Sequence, residues 1–242
     1  MGRRGNAKVE DCRPARGRYG GAMLFAELIE VLDPEAHGAA LNMAIDEALL
    51  RTASKPLLRV YRWVRPAISF GYFEKFADVE RGHLAGEMVR RWTGGGVVFH
   101  GDDLTYTLIV PMAHPFARLP PGESYRQIHD CVAKALQALG LAARLAAHAS
   151  ARVSNGCFEN AAEADVLADG RKIAGAAQRR TRAGLLHQGS IQGLPAHEGL
   201  AERLAGAFGD TADRSVLEED TLSVAAQLAR EKYATEAWLR RF

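Results

Sequence analysis

The dipeptide Asp169-Gly170 lies between two strand-like runs in EADVLADGRKIAGAAQ. Both central positions of a tight hairpin turn need positive φ, which Asp and Gly tolerate, so this is the strongest short hairpin signal a chain can carry. It commits the surrounding segment to antiparallel pairing. The wider stretch CFENAAEADVLADGRKIAGAAQRRTRAGLLH sets one cysteine and one lysine, Cys157 and Lys172, at the two ends of that hairpin.

Periodicity extends the reading in both directions. Leu41, Ala44, Ile45, Ala48 and Leu49 fall at helical spacing and predict an amphipathic helix near 38–53, with Asp46 and Glu47 on its solvent side. LLRVYRW (57–63) and AISFGYF (67–73) read as strands joined through a Pro66 turn, as in a hairpin. MVRRW, VVFH and LTYTLIVP are three more β-rich runs around Gly94, Gly95 and Gly96. A helix follows from about Glu123 to Leu139, with Cys131 beside its apolar stripe as a core residue, and LLHQGSIQ adds a strand. After Pro195 the chain turns helical, near 198–208, 219–231 and 234–241. One helix, many strands, a helix, more strands and then helices is the order of an α+β fold with a mixed, mostly antiparallel sheet flanked by helices. The expected organisation is a disordered basic tail over 1–22 and one catalytic domain over 23–242, ending in short helices.

Composition supports a folded core: of 242 residues, 48% are hydrophobic and 25% charged. The net charge of +2 is unevenly spread, because Arg3, Arg4, Lys8, Arg13, Arg16 and Arg18 outnumber Glu10 and Asp11 in the first 22 residues. That tail has too little apolar surface to offset its ordering entropy. A start at Met23, just before LFAELIEVL, is the simplest account of it. No run of about 18 apolar residues occurs, so no membrane partner is expected, and the N-terminus lacks a signal peptide's apolar core. Cys12, Cys131 and Cys157 have neither a CxxC spacing nor the density of a disulfide scaffold, which fits a reducing, cytoplasmic setting and no metal site. Nothing resembles a nucleic-acid-binding signature, so no nucleic-acid partner is expected.

The chemistry centres on Cys157 and Lys172. A thiol can carry an acyl group as a thioester, and a fixed ammonium can hold the acyl carbonyl while that group is passed on. For an isolated cysteine the alternative is a buried, inert thiol, and for a hairpin lysine a solvated charge. Three consecutive glycines in RRWTGGGVVFHGDDLTYTLIVP mark a place where a backbone or a ligand approaches closely, or a plain turn. No Gly-Lys-Ser/Thr follows, so the loop is not a Walker P-loop. Arg90, Arg91 and His100 flank it and could contact a phosphate or an acyl carbonyl. Arg179, Arg180 and Arg182 read as a solvated basic face, and Gln188 and Ser190 as pocket or strand-packing residues.

LRVYRWVRPAISFGYFE, RRWTGGGVVFH and GRKIAGAAQRR together resemble the three characteristic blocks of the lipoate-protein ligase, octanoyltransferase and biotin ligase catalytic domain. The resemblance runs from about Leu41 to Ile191 and implies a sheet of the kind shared with class II aminoacyl-tRNA synthetases and biotin ligases. It also implies that Arg91, Gly94, Gly95, Gly96, His100 and Lys172 line an acyl pocket. The small residues Gly175, Ala176 and Ala177 would leave room for the chain, and His187 or His100 could act as the base.

The family divides into ligases, which activate a free acid with ATP, and transferases, which take octanoyl from acyl carrier protein. Cys157, followed by Phe158, resembles the catalytic-cysteine segment of cysteine-dependent octanoyltransferases, and the run from His100 to Tyr106 is similar to their block after the glycine loop. Gly96 is closer to the ligase pattern, and CFENAAEADV lacks the aromatic and proline expected after the cysteine. The preferred expectation is transfer through a Cys157 thioester to a lysine of a lipoyl-domain or glycine-cleavage carrier protein, by a monomer needing no cofactor. The alternative is a lipoate-protein ligase using ATP and Mg.

Overall fold

The structure is a computed structural model, and it describes residues 23–82, 86–149, 158, 160–194, 199–209 and 213–242. The elements in order are β1 (Ile29–Leu32), β2 (Ala36–His37), α1 (Ala39–Thr52), β3 (Leu57–Trp63), β4 (Ala67–Phe70), α2 (Phe76–Gly82), β5 (Glu87–Arg90), β6 (Val97–His100), β7 (Leu104–Pro111), α3 (Pro121–Gln137), β8 (Arg144–Leu145) and β9 (Val166–Ala168). β10 (Arg171–Arg180), β11 (Gly184–Ile191), α4 (Leu200–Phe208), β12 (Asp213–Val216), α5 (Glu219–Leu228) and α6 (Glu236–Leu239) complete them, with a five-residue π turn, Ala229–Tyr233, after α5. The large sheet runs β12-β1-β3-β7-β11-β10-β9-β8, and β2 adds to β3. Its β12, β1 and β3 are parallel and the rest of that path is antiparallel. The architecture is α+β, with a mixed, mostly antiparallel sheet flanked by helices.

Side chains of period 2 give this sheet two faces. One packs Leu58, Tyr106, Leu108 and Leu185 against α3 and α4, with Ile128, Val132, Leu204 and Phe208 at the centre and Cys131 among them. The other packs Leu57, Tyr61, Ile109 and Leu186 against α1 and α5. Helix α3 begins with Pro121 in its first turn, where the missing N–H loses nothing, and carries Glu123 in that turn and Lys134 in the last, complementing the helix dipole.

Two expectations need correction. β3 and β4 are not a hairpin: β4 pairs with β5 and β6 in a separate three-stranded sheet, while β3 pairs with β1 and β7. Both runs are buried, and local sequence does not encode which neighbour a buried strand pairs with. Asp46 and Glu47 are not surface carboxylates either, because α1 is enclosed on most of its circumference and both side chains are buried. Asp46 accepts hydrogen bonds from Arg59 at 2.7 Å, Thr107 at 2.6 Å and Gln188 at 2.7 Å. Burial pushes the Glu47 carboxyl up, but Lys232 and Tyr233, each at 2.6 Å, outweigh it and hold the group below its ordinary value.

Candidate active site

The three-stranded sheet lies against the α1 face of the large sheet, and a narrow slot runs between them. Its walls are Tyr61, Trp63, Thr105, Gln188 and Ser190 from the large sheet, Ser69, Arg91, Val98 and His100 from the small sheet and its adjoining turn, and Met43 of α1. Gly95, Phe158 and the run Gly175–Ala177 close it. The space between the walls is tight, a cavity of about 30 Å³.

The small-sheet wall is a continuous hydrogen-bonded chain. Ser69 and His100 lie diagonally across the antiparallel pair β4–β6 and so share a face. Asp103 Oδ2 accepts from His100 Nδ1 at 2.8 Å, from Thr105 at 2.8 Å and from Ser190 at 2.7 Å. The Gly101 N–H donates to the other carboxylate oxygen at 3.1 Å. Burial raises the Asp103 pKa, but these bonds, His100 first, more than offset it and hold the carboxyl below its ordinary value. With its Nδ1–H so engaged, His100 has its Nε2 lone pair free to accept from Ser69 Oγ at 2.6 Å. Burial pushes the imidazole's pKa down, so the neutral form that this pattern requires is the favoured one. Trp63 stacks on the His100 ring with centroids 4.0 Å apart and fixes its plane.

Arg91 ends this chain: one guanidinium nitrogen donates to Ser69 Oγ at 2.7 Å, and the other to the carbonyls of Gly94 at 3.0 Å and Gly96 at 2.8 Å. The glycine loop is therefore wrapped around an arginine. Gly95 has φ +86°, and a Cβ at Gly71 would lie 1.8 Å from the Gly95 carbonyl oxygen, so the loop packs backbone to backbone on Gly71 as well as bordering the slot. Arg90, by contrast, points away and is fully buried, donating to the carbonyls of Tyr72, Glu74 and Leu239 at 2.7–2.8 Å. It anchors the α6 end of the chain to the small sheet and leaves Arg91 alone at the slot.

The hairpin wall carries Lys172. Asp169 and Gly170 take φ of 49° and 76°, as the turn requires, and join β9 to β10. A register shift between Lys172 and Ala174 breaks the alternation, and such a bulge re-aims a side chain. Far from being a solvated charge at a hairpin end, Lys172 has a side chain only 4% exposed and paired with Asp165 at 2.7 Å. Its Nζ also donates to the Asn160 carbonyl at 3.3 Å and sits 5.2 Å from the Phe158 ring centre. Asp165 further accepts from Tyr125 at 2.5 Å and from the Ala162 N–H at 2.6 Å, and the Ala176 N–H donates to the Tyr125 hydroxyl at 3.1 Å. Gly175 makes room for the lysine, since a Cβ there would lie 2.5 Å from Lys172 Cε. Lys172 opens on the other side to a wider cleft edged by Arg144, His148 and Arg171, and Phe158 borders both spaces.

Cys157 lies outside the described residues. Of the other site residues read from the sequence, Arg91, Gly95, His100, Gly175 and Ala176 line the slot and Gly94 and Gly96 shape it through Arg91, whereas Lys172 lines the wider cleft and meets the slot only through Gly175 and Phe158. His187 does not reach it. β11 alternates, so Gln188 and Ser190 face the slot while His187 is turned to α3, where its neighbours are Tyr106, Tyr125, His129 and Gln178. Burial there drives the His187 pKa well below its ordinary value. Arg179 and Arg180 are likewise half-buried rather than a solvated face: Arg179 lies over Trp92 and Tyr72, and Arg180 donates to Leu119 and Ser124. Ser69, Asp103, Tyr125 and Asp165 were not singled out by sequence reasoning. Only an acidic residue directly before the apolar strand of a hairpin, as Asp165 is, offered any signal.

Residues 38–196 match the lipoyl protein ligase A/B catalytic domain family. The chain belongs to this family. Among relatives, it is 39% identical over 170 residues to an octanoyltransferase LipM of Oceanobacillus iheyensis, a match covering 66% of this chain and 62% of that one. An octanoyltransferase LipM of Carboxydothermus hydrogenoformans is 32% identical over 265 residues, covering 87% of this chain and 98% of that one. The chain thus spans under two thirds of the first relative and nearly all of the second. Among solved structures, lipoate-protein ligase A bound with ATP superposes with a TM-score of 0.68 at 22% identity, covering 89% of this chain and 99% of that one. A bi-partite lipoate protein ligase of Thermoplasma acidophilum, determined with its E2 lipoyl domain, gives 0.65 at 21% identity, covering 90% and 97%. These structures share the lipoyl ligase fold with this chain. No helix among the described residues is long and apolar enough to cross a membrane.

Proposed function

We propose that this member of the lipoyl protein ligase A/B family is an octanoyltransferase of protein lipoylation. It moves an octanoyl group from acyl carrier protein, through a Cys157 thioester, to a lysine of a lipoyl-domain or glycine-cleavage carrier protein. The observation that carries the reading is a buried ammonium, Lys172, paired with Asp165 and set beside Gly175 and Phe158, which border the slot, in a protein with octanoyltransferase relatives. Burying about seven methylene-sized groups at roughly 0.8 kcal/mol each supplies about 5 kcal/mol toward holding the chain.

In this mechanism the Cys157 thiolate attacks the carrier thioester, the C–S bond to the carrier breaks, and the carrier leaves as its thiolate. Lys172 stabilises the oxyanion. The acceptor lysine, deprotonated, then attacks the Cys157 thioester and releases the thiol. Exchange between thioesters is nearly isoenergetic and the amide is more stable than either, so neither ATP nor a metal is needed. The basic rim of Arg144 and Arg171 beside Lys172 supports an acidic carrier protein as the donor. A cytoplasmic, monomeric enzyme fits this chemistry.

The test is to mix the protein with octanoyl acyl carrier protein in the absence of ATP. One octanoyl group should appear on the peptide containing Cys157, move to an added lipoyl domain, and be missing from that peptide in Cys157→Ala. Labelling of the lipoyl domain only with free octanoate and ATP, with pyrophosphate release and no adduct, would overturn this reading in favour of the ligase.

A further inference from the structure

The slot contains a hydroxyl hydrogen-bonded to an imidazole, Ser69 to His100. Three hydroxyls besides Ser69 reach the slot, and each is committed to a carboxylate: Thr105 and Ser190 donate to Asp103, and Tyr61 points to Asp46. Ser69 differs in that its acceptor is an imidazole. The distances are 2.6 Å from Ser69 Oγ to His100 Nε2 and 2.8 Å from His100 Nδ1 to Asp103 Oδ2. That is the order hydroxyl, imidazole, carboxylate found in serine acyl-transfer enzymes, with the base oriented by a third group. The carboxylate is held by four donors and the ring by a stacked indole, so the imidazole cannot rotate away. Arg91, 2.7 Å from the same Oγ, sets a positive charge beside the hydroxyl that would favour its ionised form.

We propose that Ser69, with His100 as general base and Asp103 behind it, is an acyl-accepting nucleophile that hydrolyses medium-chain acyl thioesters held in the slot. The step balances without a further reactant. Ser69 Oγ bonds to the acyl carbon as His100 Nε2 takes the hydroxyl proton. The C–S bond breaks, and the leaving thiol takes that proton from His100. Water, deprotonated by the same nitrogen, then attacks the oxygen ester, releasing the fatty acid and returning the proton to Ser69. This activity is independent of Cys157 and would discharge acyl groups that find no acceptor amine. Only its substrate class rests on the octanoyl-transfer reading.

The experiment uses the full chain as Cys157→Ala, treated with an octyl fluorophosphonate and, separately, with octanoyl-pantetheine. The phosphonate should label Ser69, octanoyl-pantetheine should compete for that label, and octanoate should be released. His100→Asn should slow both labelling and release by roughly 10²-fold or more, and Ser69→Ala should abolish them. An unlabelled Ser69, in a protein whose native Cys157 still transfers octanoyl groups, overturns the proposal and leaves the octanoyltransferase reading intact. Labelling at an unchanged rate in His100→Asn also overturns it, since the hydroxyl would then be merely accessible. A labelled, hydrolytically active Ser69 in a protein that transfers nothing supports the proposal and overturns the transferase reading instead.

Discussion

The two walls of the slot stabilise their polar groups in different ways. On the hairpin wall, the polar contacts centre on a buried ion pair: Lys172 and Asp165, at 2.7 Å, are both nearly removed from solvent. On the small-sheet wall, the neutral His100 stands between charged groups, and its bonds spread over β4, β6, the glycine loop and β11. A buried ion pair is fragile to loss of one partner, because the other is left desolvated and alone, whereas a chain of shared hydrogen bonds loses one link at a time. The difference predicts where the molecule breaks first.

Removing the carboxylate should have the largest effect. Asp165→Asn keeps the shape but removes the carboxylate charge 2.7 Å from the buried Lys172 ammonium, and the expected loss is about 3–5 kcal/mol of folding stability. Urea titration checks it. The equivalent change on the other wall, Asp103→Asn, should be milder, because His100 can still donate to the amide oxygen. If the two variants lose equal stability, the contrast between the walls is wrong. Lys172→Met addresses chemistry rather than folding: losing an oxyanion donor should lower the octanoyl-transfer rate by roughly 10²–10³-fold. Single-turnover transfer to a lipoyl domain measures it, and a drop below tenfold would mean that Arg91, not Lys172, carries the developing charge.

The same contrast explains what could be read from the sequence. Helix α1, strand β3 and the Asp169-Gly170 turn were legible because each follows a local rule of period or backbone dihedral. The partnership of β4 with β5 and β6 was not, since pairing among buried strands is decided by the whole sheet. Arg91, Gly95, His100 and Lys172 sit in dense motifs and could be picked out. Asp165 and Ser69 could not: one stands seven residues before its lysine, the other inside an apolar strand, and each gains its meaning only where the fold brings partners across the slot. Asp46 and Glu47 misled for the opposite reason, because a helix enclosed on most sides carries its carboxylates into the core with the period of an exposed face. The exposed strand β12, DRSV, has no apolar alternation to announce it.

Acid separates the walls further. Behind the hairpin wall, His129 is fully buried, donates to the Ala164 carbonyl at 2.7 Å, and has its pKa pushed down to about 4, chiefly by burial. Its unfolded value is about 6.5. Above about pH 6.5 both states are neutral and the fold keeps its full stability, whereas below it the unfolded chain takes up a proton that the folded chain refuses. Stability should therefore fall between about pH 6.5 and pH 4, by on the order of 3 kcal/mol from this residue. Urea midpoints across that range should show the loss, and His129→Gln should flatten it. His100, His187 and His114, also depressed by burial, add loss of the same sign, so removing His100 as well should reduce the slope further without abolishing it.

The smallest effect expected is also the most selective. A Cβ at Gly175 would lie 2.5 Å from Lys172 Cε and 2.7 Å from its Nζ, whereas one at Gly189 would lie 2.3–2.5 Å from the Tyr106 ring. The first obstacle is the end of a long side chain held by Asp165, which can shift slightly; the second is a fully buried ring in a packed core and cannot. Gly189→Ala should accordingly cost stability, on the order of 1–3 kcal/mol for overpacking, with folding as its readout. Gly175→Ala should cost less, about 1 kcal/mol, because the Lys172 side chain can shift by a few tenths of an ångström and weaken its Asp165 contact without losing it. It should nevertheless lower octanoyl transfer about tenfold, the scale of effect that a misplaced group of this kind produces in a preorganised site. Were Gly175→Ala to transfer at the wild-type rate, Lys172 would be shown to act from a position other than the one Asp165 holds it in, and the hairpin wall would lose its claim to be the less forgiving of the two.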